Sequence, residues 1–268
     1  MGSFIKKIKN VKRKLINARK KLTKSSRIKN EICEECKRID CNAKRFQQNF
    51  KNWTSGNDII DNFIQGTQLS AHSNYEAPRA LEWIPYDKFT NIKYVAKGGF
   101  GKVYKANWID GCMDNKWNIK NHNWRRIRQD MFVALKSLNN SKDVTTEFMK
   151  EVMVHHKIRD TFSIIKFYGI TQDPETKDYM MVLDYAKEGN LRNCLSDTST
   201  SVGHLIYVTD MGLCKPANYN PSEKHVYGVT PFIAPEILRG QDYTKAADIY
   251  SFGIIIISKA NERSRRNQ

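Results

Sequence analysis

Apolar positions recur in two rhythms along this chain, a helical one at the start and a strand-like one in the middle. In residues 1–30, Ile8, Val11, Leu15 and Leu22 fall at i, i+3, i+7 and i+14, one stripe on a helix otherwise covered in basic groups. The stretch NFKNWTSGNDIIDNFIQ predicts a short helix behind Ser55 to Asn57, whose side chains suit capping of its first N–H groups. At Leu81-Glu82-Trp83-Ile84-Pro85-Tyr86 the period switches to alternation, and Pro85 with that switch marks a domain boundary. Two strand-like runs between Tyr94 and Ala106 follow, joined by a glycine-rich turn. Val133-Ala134-Leu135-Lys136 reads as an apolar strand, and TTEFMKEVMVHHKI as a helix with Phe148, Val152 and His155 or His156 on one side. Near the end, Leu205-Ile206-Tyr207-Val208 is a further strand, and Ile249, Phe252, Ile255 and Ile256 form one face of a last helix.

Composition narrows what such elements build. With 12 Phe, 12 Tyr and 5 Trp in 268 residues, the chain carries too much aromatic surface for a solvated coil. No apolar run reaches the roughly 18–20 residues of a membrane span, so no transmembrane segment is expected. The net charge of +17 is concentrated at the start, where residues 1–30 hold 12 Lys or Arg and no acid. Four readings of that leader stay open: an anionic membrane surface, nucleic acid, a targeting signal, or a solvated tail. Gly2 invites myristoylation, but Lys6 stands where the motif wants Ser or Thr. The start lacks an apolar signal region, which points to a reducing compartment, cytoplasmic with nuclear import open, and to thiols or metal ligands over disulfides.

Three of the cysteines, Cys33, Cys36 and Cys41, have the spacing C-x2-C-x4-C. A pair two residues apart can clasp zinc on a tight turn, but a structural site takes four ligands. His72, the nearest imidazole, lies 31 residues beyond Cys41 and fits no compact zinc module. An incomplete zinc ribbon and ordinary free thiols both remain open.

The richest chemistry lies in the middle. Gly98 and Gly101 let backbone N–H groups approach phosphate oxygens, although glycines in any hairpin turn look alike. Lys136 puts an ammonium in an apolar strand, which is costly unless an anion and a carboxylate partner it, and Glu151 on the following helix is available. Asp210-Met211-Gly212, Ala234-Pro235-Glu236 and Asp248-Ile249-Tyr250-Ser251-Phe252-Gly253 complete the series. In order and spacing, from about Trp83 to Gly253, these motifs resemble a eukaryotic protein kinase of the tyrosine-kinase-like group. The leader, with its cysteines ahead of NFKNWTSGN and EWIPY, is similar to that of a large fungal kinase family. The resemblance implies an α+β, two-lobe fold with an antiparallel sheet and helix in the N-lobe, ATP and magnesium as cofactors, and a protein substrate or signalling partner. It places phosphates at Ala96, Gly98, Phe100, Gly101 and Lys136, with Ala96 standing where the family has its first glycine. Glu151 would pair with Lys136, and Asp210 would bind magnesium. Val103 and Ala134 would roof the purine, Leu183 would be the gatekeeper, and the backbones of Asp184 and Ala186 would read adenine.

One part of that pattern has no counterpart. The family's His-Arg-Asp loop, preceded by a helix of some 20 residues and ~30 Å, does not fit in the 14 residues between Leu195 and Asp210. Arg159-Asp160 is no substitute, because it directly follows the Glu151 helix and the position five beyond Asp160 is Ile165, which cannot hold a metal. No catalytic base is identified, and Asp248 and Glu236 lose the partners the family gives them. The expected division is a leader at 1–30, a cysteine-containing linker at 31–82, a kinase-like N-lobe and hinge at 83–186, an incomplete C-lobe at 187–253 and a tail at 254–268. The expected function is ATP binding with impaired γ-phosphoryl transfer, either as a pseudokinase scaffold or because the recorded sequence lost segments. The rival is a membrane-surface or nucleic-acid binder acting through residues 1–30. NHNWRRIRQD, inside the long stretch from Asn107 to Leu135, is basic and aromatic, which suits RNA contact or a surface insertion. Tyr219, Ser222, Tyr227 and Thr230 are hydroxyls open to phosphorylation.

Overall fold

Alternation in Met131–Leu138 sends Met131, Val133 and Leu135 to one side of a strand and Ala134 and Lys136 to the other. In the computed structural model this strand, β6, lies inside a sheet of order β1-β7-β8-β6-β3-β2. The members are β1 (Glu82–Trp83), β2 (Phe89–Gly98), β3 (Gly101–Trp108), β6, β7 (Phe167–Gln172) and β8 (Tyr179–Asp184). All neighbours pair antiparallel except β1 with β7. The structure describes residues 32–98, 101–138, 141, 144, 146–158, 164–187 and 230–266. The chain divides into two compact units, one of residues 1–159 and 165–185 and the other of residues 160–164 and 186–268. The class is α+β.

Ahead of the sheet, α1 (Asn42–Asn49) and α2 (Asp58–Leu69) pack together. Asn57 starts α2 as the capping pattern requires, its side chain accepting from the N–H groups of Ile59 and Ile60. In its first turn, Asp61 is buried and accepts hydrogen bonds from Thr54 Oγ1 (2.6 Å), Ser55 N–H (2.7 Å) and Ser55 Oγ (2.5 Å). That network fixes the Trp53–Gly56 turn onto the helix.

The stretch from Asn107 to Leu135 contains a hairpin of β4 (Cys112–Asn118) and β5 (Asn123–Ile127). Gly111 has φ +68° and a side chain there would strike the carbonyl of Ile127, so only glycine makes this corner. Trp124 is buried with Phe46, Ala71, Ala77, Ala80 and Met113, and Trp117 packs against the cluster. Arg126 grips Glu82 with a two-pronged ion pair, Nη1–Oε1 3.0 Å and Nη2–Oε2 2.5 Å. Within NHNWRRIRQD, Trp124 and Arg126 are thus turned inward and bind the hairpin to the leader, whereas Arg125 and Arg128 stay half exposed. The sheet's own core gathers Ala106, Trp108, Val133, Leu135, Tyr168, Met180 and Val182.

In the second unit, α4 (Pro235–Leu238) and α5 (Lys245–Arg266) share a small core of Ile233, Ala234, Ile237 and Ala247. Ile249, Phe252 and Ile256, on the apolar face of α5, are exposed. Asp248 is exposed in the first turn of the same helix.

Candidate functional site

Register decides which side chains share a face. Val103 lies opposite Lys136 and Lys136 opposite Met181, while Lys105 lies opposite Ala134 and Ala134 opposite Leu183. Directly opposed residues of antiparallel strands project together. Val103, Ala134, Lys136 and Leu183 therefore stand on one face, away from the core built by Ala106, Val133, Leu135 and Val182. Lys105 joins them, its ammonium 3.8 Å from the Phe132 ring centroid and 4.9 Å from that of Tyr185. Alternation counted from Val103 was the available signal for Lys105.

The helix α3 (Thr146–Ile158) brings a carboxylate to this face. Phe148, Val152 and His155 are buried at i, i+4 and i+7, and Glu151 sits between them on the same side. Glu151 Oε1 is 2.5 Å from Lys136 Nζ, with both residues more than nine-tenths buried. Each charge makes the other's burial tolerable. Of the two histidines, His155 is the inward one; its Nε2 donates to the Ile165 carbonyl at 2.8 Å and its ring meets Phe167 edge to face. Burial, reinforced by the nearby Lys136 ammonium, holds its pKa below the ordinary value despite that hydrogen bond.

The glycine turn closes a hairpin. Ala96 pairs with Val103, Lys97 with Lys102 and Gly98 with Gly101, leaving Gly99 and Phe100 between the paired ends. Phe100 lies outside the described residues, as do Asp210, the whole of residues 1–30 and Arg159-Asp160. Asp184 ends β8, its N–H donating to the Lys166 carbonyl at 2.8 Å and its carboxylate 3.5 Å from Arg128. Ala186 follows as the first residue of the longer segment of the second unit. A cleft lined by Arg45, Trp53, Trp83, Trp117, Trp124 and Arg126 lies elsewhere, and none of the sheet-face residues lines it.

The three leader cysteines come together, and the expectation that His72 is too remote to join them is corrected. The Nδ1 atom of His72 is 3.2 Å from Cys41 Sγ and 3.6 Å from Cys33 Sγ. Packing of α1 on α2 delivers it, since Cys41 stands just before α1 and His72 just after α2, a proximity that linear spacing does not encode.

Comparison with known proteins agrees with the register. The family model "Protein tyrosine and serine/threonine kinase" matches residues 89–205, and "Protein kinase domain" matches residues 192–265. The proto-oncogene serine/threonine-protein kinase mos of Mus musculus is 26% identical over 232 residues, covering 67% of this chain and 63% of the relative. Its counterpart in Sus scrofa is 24% identical over 237 residues, covering 72% and 67%. A probable serine/threonine-protein kinase of Dictyostelium discoideum is 23% identical over 231 residues, covering 71% of this chain and 23% of its own length. The chain thus spans 63% of the length of the mouse relative. The 232 aligned positions are drawn from 67% of a 268-residue chain, fewer residues than positions, so that relative carries segments without counterpart here.

Proposed function

Since this chain belongs to the eukaryotic protein kinase superfamily, we propose that it binds ATP with magnesium on the sheet face that carries Lys136, and that phosphoryl transfer to a protein Ser, Thr or Tyr hydroxyl is impaired. The observation that carries the binding reading is the buried Lys136–Glu151 pair. A lysine fixed in a sheet by a helix carboxylate is the kinase device for holding the α- and β-phosphates. Val103, Ala134 and Leu183 on the same face supply apolar surface for a purine, and the Gly98–Gly101 hairpin supplies backbone N–H groups near its tip. These residues fit the nucleotide. Magnesium, assigned by resemblance to Asp210, would neutralise phosphate charge.

Impairment is argued from the sequence between Leu195 and Asp210, which holds no His-Arg-Asp and no asparagine five residues after it. ATP-dependent thermal stabilisation, abolished in Lys136→Ala, is the expected result; a folded protein with no shift would defeat the binding proposal. Phosphorylation of a generic protein substrate should not exceed that of Asp210→Ala, and clear magnesium-dependent turnover would overturn the impairment. Deleting residues 1–30 separates the rival reading: ATP binding survives the deletion, whereas affinity for anionic lipid or RNA, if that leader provides it, does not.

A further inference from the structure

We propose that Cys33, Cys36, Cys41 and His72 bind one zinc ion as a closed structural Cys3His site that staples the leader together. The argument begins with the backbone. Residues 33–38 fold back on themselves, the Lys37 N–H donating to the Cys33 carbonyl (2.9 Å) and the Cys33 N–H to the Arg38 carbonyl (2.8 Å). Lys37 takes the left-handed φ of 59° that so tight a return needs. Cys33 and Cys36 are thereby presented together. Cys41 follows at the start of α1, and the Asn42 N–H donates to the His72 carbonyl while Asn42 Nδ2 donates to Asn74 Oδ1 (3.0 Å), which pins the His72 loop beside it.

The four ligand atoms all lie within 4.8 Å of one another. A tetrahedron with Zn–S of about 2.3 Å and Zn–N of about 2.0 Å has edges of about 3.8 Å between sulfurs and about 3.5 Å from sulfur to nitrogen. The observed His72 Nδ1 distances of 3.2 and 3.6 Å bracket the second value. The other ring nitrogen, Nε2, is 3.0 Å from Glu35 Oε2. A histidine that donates one N–H to a carboxylate leaves the opposite nitrogen as a basic acceptor, the outer-sphere arrangement that orients zinc-bound imidazoles. Glu35 lies inside the Cys-x2-Cys turn itself, so the same loop supplies two ligands and the group that aims a third.

Packing agrees. Around the cluster, the buried core consists of Cys33, Cys41 and Ala43, with Cys36 packed against it. Such a core offers little apolar area, and metal coordination is the alternative source of stability where area is short. A zinc ion here would tie residues 33–41 to the end of α2, closing a loop across 31 residues between Cys41 and His72.

The test uses the full chain purified under reductant and without chelator. About one zinc per chain is expected, and titration of the metal-free protein with cobalt(II) should give the visible bands of a tetrahedral site with sulfur-to-cobalt charge transfer. In competition with a chromophoric chelator, His72→Ala and Cys41→Ser should lose at least tenfold in zinc affinity. Glu35→Gln should lose roughly 10- to 100-fold, and His122→Ala, an exposed histidine outside the cluster, should lose nothing. Folded wild type that takes up neither metal, a cobalt spectrum without sulfur charge transfer, or a His72→Ala variant of undiminished affinity would each overturn the proposal. The cobalt titration needs no variant to fold, and none of these readouts depends on nucleotide binding.

Discussion

Replacing Lys136 by methionine preserves most of the side-chain volume but leaves the Glu151 carboxylate, only 4% exposed, without its ammonium. Breaking a buried ion pair from one side costs about 3–5 kcal/mol. That is a large share of the about 5–15 kcal/mol by which a domain is stable. Removing both charges in Lys136→Met with Glu151→Leu has a different consequence, because a well-packed apolar pair no longer bears the desolvation of either ion. The double variant should return to within about 1 kcal/mol of wild type. Urea unfolding followed by tryptophan fluorescence measures this cleanly. All five tryptophans lie between Trp53 and Trp124, in the same unit as the pair, so the second unit does not contribute to the signal. The double variant should be folded yet show no ATP-dependent thermal shift, which separates the pair's structural role from its role toward phosphate. A Lys136→Met cost below about 1 kcal/mol, or a double variant no more stable than that single one, would refute the reasoning.

Three further outcomes follow from single sites. Gly169 lets β1 approach β7, since any side chain there would strike the Glu82 carbonyl; Gly169→Ala should cost roughly 1–3 kcal/mol in urea unfolding and speed exchange of the Ile84 amide, which donates to Ile170. Arg126→Leu strips Glu82 of a two-pronged partner and should cost about 1.5–3 kcal/mol, with Glu82→Gln in the same chain recovering part of the loss. For His155, the folded pKa is depressed by burial, so the unfolded chain, titrating near about 6.5, binds the proton that the folded chain refuses. Its contribution is present above about pH 6.5 and is lost as pH falls; His155→Gln should show a shallower decline from pH 7 to 5, and equal slopes would remove His155 as the cause.

What the sequence revealed and what it hid divide along chain distance. Alternation placed Ala134 and Lys136 together, the capping residues located the start of α2, and helical spacing set Glu151 beside Phe148, Val152 and His155. Each of these is a local rule acting over a few residues. Hidden were His72 against Cys41, Arg126 against Glu82, and the Tyr179 hydroxyl donating to the Ser55 carbonyl at 2.9 Å across 124 residues. Those pairs depend on how elements pack, and no periodicity reports it. The same gap applies inside NHNWRRIRQD, which is exposed along most of its length as a surface insertion would be: its charge and aromaticity were visible, but not that Phe46 would stack on Trp124 at 5.0 Å.

The leader from Cys33 onward is therefore part of the sheet-bearing unit and not a tether to it. Phe63 of α2 meets His156 of α3 edge to face at 5.7 Å, and Tyr179, held by Ser55, lies 6.3 Å from Phe148 of that helix. The leader thus braces the helix that presents Glu151 to Lys136. A chain begun at residue 83 would lose Glu82 from Arg126, the Ser55 carbonyl from Tyr179, and Phe46 from Trp124, exposing apolar surface and stranding buried polar groups together. Such groups cost about 1–3 kcal/mol each when left unmet, so their combined loss should exceed what the unit can absorb. A chain begun at residue 31 keeps all of these contacts. Expressed side by side, the longer chain should unfold cooperatively and retain its ATP-dependent shift, and the shorter should be insoluble or lack a folded baseline. A folded, ATP-responsive chain begun at residue 83 would show that the leader contributes nothing to the position of α3.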